Sequence, residues 1–261
     1  MPLDHLQRLT SRHRTRSSNR QLGALLAFVA GAVNAGGFLA VQRYTSHMTG
    51  IISGIADDLA IGELRLALSA LATLLSFVAG AACTTLLINW ARRRQLQGKY
   101  ALPLLVEALL LLGFGLVGAH LRGLPQLLVP TAVLLLCFIM GLQNAMVTKI
   151  SQAEIRTTHM TGVVTDIGIE LGRLLYWNRS RERNAVHRVQ ANRDRLGIHL
   201  LILSLFFVGG LAGALAFKHL GFSATLPFAF ALILVASPPL WQDLRAARRH
   251  RTAPASPAAH E

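Results

Sequence analysis

Six long apolar runs govern what this chain can become: about 22–40, 66–90, 102–120, 126–148, 197–217 and 222–241. Each is near the ~20 residues that a helix needs to cross ~30 Å of hydrocarbon. Lipid offers no water to backbone N–H and C=O groups, so each run must pair its own amides and form a helix. Of the 261 residues, 52% are hydrophobic and only 15% charged, against roughly 25% charged in soluble domains. The fold class that follows is all-α integral membrane, with six transmembrane helices and the lipid bilayer as the first partner.

The net charge of +14 records topology rather than nucleic acid binding. With six spans and a cytoplasmic N-terminus, 22 of the 26 Lys and Arg fall in cytoplasmic segments. That asymmetry is the positive-inside pattern. Residues 1–20 form a basic cytoplasmic tail, about 176–196 a basic cytoplasmic linker, and 245–261 a cytoplasmic C-terminal tail. Arginines 179–195 are placed to touch anionic lipid heads. The first run reads as a span rather than a cleaved leader. Trp90, Tyr100, Trp177 and Trp241 fall near span ends, where amphipathic rings prefer to sit. Cys83 and Cys137 sit inside apolar runs and read as reduced packing residues.

Two segments are too short to span. Residues 50–61 and 162–175 are partly apolar and interrupted by acids, and they read as half-helices. Each follows a copy of one motif: Thr45-Ser46-His47-Met48-Thr49-Gly50, and Thr157-Thr158-His159-Met160-Thr161-Gly162 after Arg156. Upstream, Gly31-Ala32-Val33-Asn34-Ala35 is echoed by Gly141-Leu142-Gln143-Asn144-Ala145. Phe77-Val78-Ala79-Gly80 resembles Phe207-Val208-Gly209-Gly210, and Leu102-Pro103 resembles Leu226-Pro227. The repeat unit is one span, a half-helix and two more spans, at 21–120 and again at 121–244. Three is odd, so the second unit enters the membrane upside down. Inverted repeats with matching interrupted segments are typical of secondary transporters and point to their sites.

The motif offers modest chemistry. Thr49 and Thr161 are suited to N-caps, and Gly50 and Gly162 to close backbone approach or positive φ before a half-helix. The open amides of such a helix start attract an anion or a carbonyl oxygen. His47 and His159 can exchange protons near neutral pH or serve as structural donors to loop carbonyls. Asn34, Asn144 and Gln143 place amides on the flanking spans at matched depth, either as ligands or as interhelix glue. Asp166 and Glu170 share one helix face, with Asp166 either a ligand or a solvated acid suited to the helix dipole. Glu107, one turn past Pro103, is expected to snorkel to the interface. Gly113, Gly115, Gly209, Gly210 and Gly213 read as close-packing positions. A copper site from His47, Met48, His159 and Met160 is disfavoured, because the two copies belong on opposite faces. No cofactor or metal is expected. No nucleophile–base pair stands at one depth, so the chain is not expected to be an enzyme.

Through these motifs, with Asp166, the sequence resembles the YoaK-like family of bacterial multi-pass membrane proteins, over about 20–245. The resemblance implies a multi-pass protein of the bacterial inner membrane without naming a substrate. Similar members usually carry Asp where this chain has Asn34 and Asn where it has Ile51, so a carboxylate is missing here. The expectation is a permease for a small polar or anionic solute. Its candidate binding residues are Asn34, His47, Thr49, Gly50, Gln143, Asn144, Thr158, His159, Thr161, Gly162 and Asp166. The alternative is a non-transporting scaffold or sensor that acts through the basic linker. A homodimer is compatible with either.

Overall fold

The structure, a computed structural model, describes residues 16–120, 125–150, 159–176 and 189–252. Among them are eight α-helices: α1 (Arg16–Val41), α2 (Met48–Ala60), α3 (Leu64–Arg93), α4 (Ala101–Ala119), α5 (Pro125–Ile150), α6 (Met160–Leu175), α7 (Arg193–Leu220) and α8 (Thr225–Thr252). No strand occurs among the described residues. Among the described residues five segments are long and apolar enough to cross a membrane, and the fold class is that of an α-helical membrane protein. The last of the five, Arg193–Ala246, runs through both α7 and α8. A 3₁₀ turn at Gly221–Ala224 divides it, and Gly221 takes φ +58° there. That left-handed backbone is open to glycine at little cost. The expected break at Lys218-His219-Leu220-Gly221 thus falls slightly later, since α7 continues through Leu220.

Small residues set the main helix crossings. On α3, Ser76, Gly80 and Thr84 recur every four residues on one face. They meet the carbonyls of Leu134, Phe138 and Leu142, which also recur every four. Ser76 Oγ donates to Leu134 O at 2.7 Å and Thr84 Oγ1 to Leu142 O at 2.8 Å. A Cβ at Gly80 would overlap the Phe138 carbonyl, and one at Gly141 the Phe77 carbonyl. On α7, Gly209 and Gly213 likewise meet the Phe28 and Ala32 carbonyls of α1, and Gly31 meets Phe206. Without Cβ atoms the backbones come together, as helices in lipid do at small-residue stripes.

The order of these contacts gives directions. Residue numbers rise together along α3 and α5, and along α1 and α7, so each pair runs parallel. Between α1 and α5 they run oppositely: Gln143 reaches the Leu26 carbonyl, and Gly37 faces Leu136. The chain segment entering α4 meets the far part of α8, with Gly98 beside Pro239. Gly115 and Gly118, near the end of α4, meet Thr225 at the start of α8 and Phe222 in the turn just before it. That pair is antiparallel too.

The two tight crossings are versions of each other. Phe28 and Phe138 are 110 positions apart, and their partners Gly80 and Gly209 are 129 apart. The same two steps carry Gly31–Phe206 onto Gly141–Phe77, and Ala32–Gly213 onto Leu142–Thr84. The sequence match between the second long helices must therefore slip by one. Phe77-Val78-Ala79-Gly80 corresponds to Phe206-Phe207-Val208-Gly209, because packing against carbonyls fixes the register. Of the expected close-packing glycines, Gly209, Gly213 and Gly115 are tightly packed, whereas nothing lies within 4 Å of a Cβ at Gly113.

The apolar core lies among α1, α4, α5 and α8, with Leu26, Leu104, Leu111, Leu136, Met140 and Leu232 sealed from solvent. Phe114, Phe217 and Phe222 pack edge-on or tilted at 5.7–6.3 Å where α4, α7 and the turn meet. The outer face of α3 leaves Leu68, Leu75, Val78 and Leu86 exposed, a surface that suits lipid.

Candidate functional site

Both half-helices form where the sequence places them, but their first residues differ from expectation. His47 and His159 are the N-caps, and neither side chain makes a capping bond. Thr49 and Thr161 therefore lie inside the first turn, exposed, rather than at the cap. The Thr161 carbonyl accepts from Thr165 Oγ1 at 2.8 Å. Gly50 and Gly162 are helical, and the positive-φ glycines among the described residues are Gly62 and Gly221. Gly50 has a steric reason: a Cβ there would lie 2.7 Å from His47 Nδ1, so the imidazole folds back over the first turn. At Gly162 the corresponding space is open. Thr158 lies outside the described residues.

Asn34 ties the first motif to α1. Its Oδ1 accepts from Ser46 Oγ at 2.8 Å, which draws the start of α2 against α1. Asn144 occupies the corresponding place on α5, and its Oδ1 has no partner among the described residues. The two amides are not level. Gln143 opposes Leu26 while Leu136 opposes Gly37, so Asn34 and Asn144 lie on either side of the α1–α5 crossing. Six or so residues of rise separate them, roughly 10 Å. The structure thus assembles Asn34 with Ser46 at one place and sets Gln143 and Asn144 at another.

The acids of α6 anchor it to α7. Asp166 Oδ2 lies 3.2 Å from an Arg195 guanidinium nitrogen and 3.7 Å from His199 Nε2, so it is an ion-pair partner rather than a solvated acid. Glu170 is buried, with Oε1 accepting from Arg173 at 2.8 Å and Oε2 from the Asn192 backbone N–H at 2.7 Å. Asn192 in turn caps α7, its Oδ1 accepting from Arg195 N at 3.0 Å. Arg195, expected to touch lipid heads with the other arginines of 179–195, is instead drawn to Asp166, and sequence reading did not single out His199. The signal was present: Arg195 and His199, four apart and so on one face of α7, both meet the single acid Asp166. In the first half a short turn does this work, with Gly62 at φ +83° and Glu63 N donating to Asp58 O at 2.8 Å.

Glu107 corrects another expectation. It does not snorkel; it is fully buried, and its Oε1 accepts from Gln143 Nε2 at 2.8 Å. Position along a helix gives depth in the bilayer but not which neighbour covers the residue. Gln143, expected at a solute site, is engaged with this acid. Two cavities among the described residues are lined by other side chains. One of about 450 Å³ is an apolar groove between α4 and α8, lined by Leu112, Leu226, Pro227 and Phe230 among others. The other, about 230 Å³, is lined by Arg92, Gln95, Leu96 and Lys99. Among the described residues no group of three His, Cys, Asp or Glu is placed to hold a metal.

Residues 22–237 match the family model described as Protein of unknown function (DUF1275). The chain belongs to that family. A DUF1275 relative, the UPF0700 transmembrane protein YoaK of Bacillus subtilis (strain 168), is 25% identical over 219 residues, covering 82% of this chain and 92% of YoaK. The resemblance carried by the paired motifs is therefore a family relationship. No solved structure matches the chain.

Proposed function

We propose that this DUF1275 protein is a secondary permease for a small polar or anionic solute. It would have six spans in two inverted three-helix units, in a bacterial inner membrane with both termini cytoplasmic. The observation that carries the reading is the opposed running of α1 and α5, each followed by a half-helix that opens at His-Met-Thr-Gly. The 54 residues of Arg193–Ala246, at ~1.5 Å each, far exceed one ~30 Å crossing. Broken at Gly221, they supply two spans and bring the total to six. Parity then puts the start of α2 toward the outside and the start of α6 toward the cytoplasm, one broken helix per face, as alternating access requires.

In this reading the solute meets one half-site at a time. On one side stand Asn34, His47, Thr49 and Gly50; on the other Asn144, His159, Thr161 and Gly162, with Gln143 withdrawn from the solute by its bond to Glu107. Asn144 Oδ1 is a buried acceptor without a donor among the described residues, so a solute hydroxyl or N–H would satisfy it. The free amides at each half-helix start would take its carboxylate or carbonyl. Asp166, engaged with Arg195 and His199, serves as an anchor of the inner half-helix that solute entry would have to disturb.

The test is flux in proteoliposomes with a panel of radiolabelled small hydroxy, amino and carboxylic acids. Uptake of at least one, lost in Thr161→Val and His159→Ala, is expected. Uptake that survives both substitutions would remove the site assignment, and no uptake of any solute would remove the permease.

A further inference from the structure

The Glu107–Gln143 pair belongs to neither half-helix. Glu107 of α4 and Gln143 of α5 are sealed from solvent, at 0% and 1% exposure. One bond joins them, from Gln143 Nε2 to Glu107 Oε1 at 2.8 Å, and the same amide nitrogen faces the Leu26 carbonyl of α1 at 3.5 Å. The two oxygens left over, Glu107 Oε2 and Gln143 Oε1, both lack a partner among the described residues. Buried polar atoms are ordinarily satisfied. Here a carboxyl and an amide already share one N–H···O bond, and each keeps one idle acceptor. Two acceptors with no donor between them are short of one hydrogen.

We propose that Glu107 and Gln143 form a proton-binding site. One proton, taken from water, forms an O–H bond on Glu107 Oε2 and is donated to Gln143 Oε1, closing a two-bond acid–amide ring. On release that O–H bond breaks and the proton returns to water; nothing is oxidised or reduced. The surroundings fit a ligand this small. Leu104, Ala108 and Leu111 of the same helix are fully or almost fully buried. A divalent cation would want six or so oxygens, more than this pair offers.

No ion pair competes for the carboxyl among the described residues. The charged side chains described on the helices packed around it are Arg20 of α1, Arg65, Arg92 and Arg93 of α3, Lys149 of α5 and Arg245 of α8, all exposed. Asp243 of α8 is occupied by the backbone N–H groups of Gln97 and Gly98. The other titratable side chains described on these helices are the thiols of Cys83 and Cys137. An intramembrane acid so isolated is costly to keep without a use. The site rests on the membrane-spanning reading and deepens the permease proposal by giving it a coupling ion, the proton.

The test needs no transport. The full chain in phosphatidylcholine vesicles is examined by infrared difference spectroscopy at neutral pH, where exposed carboxyls are ionised. A protonated-carboxyl C=O stretch is expected in the wild type. It should vanish in Glu107→Gln and move to higher frequency in Gln143→Leu, which removes the N–H donor. Glu107→Gln keeps both ring bonds, since an amide N–H replaces the shared proton, so it should fold like the wild type. Absence of the band, its persistence in Glu107→Gln, or collapse of Glu107→Gln would overturn the site. The band without solute flux leaves this site standing and removes the permease; flux without the band does the reverse.

Discussion

Gly141→Ala probes the crossing of α3 and α5 most sharply. The added methyl would overlap the Phe77 carbonyl oxygen, and backbone, unlike the end of a flexible side chain, can yield only by moving a helix. Overpacking of this kind costs ~1–3 kcal/mol. Separating the helices also stretches the Ser76–Leu134 and Thr84–Leu142 bonds, worth about 0.6 kcal/mol each between helices in lipid. Alanine returns ~0.8–1.0 kcal/mol of helix propensity. The net expectation is a loss of about 1–3 kcal/mol. Gly31→Ala, whose methyl would overlap the Phe206 carbonyl, should lose a similar amount. Gly113→Ala is the control, because its methyl meets nothing within 4 Å; it should be neutral or gain up to ~1 kcal/mol. Unfolding of each variant by sodium dodecyl sulfate in mixed micelles, followed by tryptophan fluorescence, gives the differences. If Gly141→Ala and Gly31→Ala are as stable as Gly113→Ala, the glycine-on-carbonyl crossings are wrong.

Three smaller perturbations bear on other joints. Thr84→Val removes an interhelix bond to Leu142 O while keeping shape; the same unfolding assay should show a loss of about 0.6 kcal/mol and no more than ~1.7. Asn192→Ala removes the α7 cap and should cost ~1 kcal/mol, read as faster hydrogen exchange in the first turn of α7. Glu170→Ala should free α6 more than Asp166→Ala. Glu170 is buried and accepts a backbone N–H, in a class of charged hydrogen bonds worth ~1.5–3 kcal/mol. The Asp166–Arg195 pair is a third to a half exposed and worth ~0–1 kcal/mol. Limited proteolysis near residues 175–192 should be faster in Glu170→Ala, and equal rates would count against that ranking.

The helices were legible because membrane helices announce themselves by length and apolarity, and the half-helices because one motif recurs as identical residues. All six apolar runs became helices, and both half-helices opened within two residues of where they were expected. Finer geometry was less legible. The register of the Phe-Val-Gly segments was off by one because similar letters recur at adjacent positions, and only contact with a carbonyl decides between them. His47 and His159 displaced the threonines as caps because the chain turns earlier, with the His47 ring laid over Gly50. Glu107 was misplaced because which helix covers a buried acid depends on tertiary packing. The level of Asn34 relative to Asn144 depends in the same way on where α1 crosses α5.

The most direct measurement is sidedness. With Cys83 and Cys137 replaced by alanine, single cysteines at Thr49 and at Thr161, both exposed, would be labelled with an impermeant thiol reagent in right-side-out and inside-out vesicles. Two opposed units predict Thr49→Cys labelled only from outside and Thr161→Cys only from the cytoplasmic side. Labelling of both from the same face would contradict them.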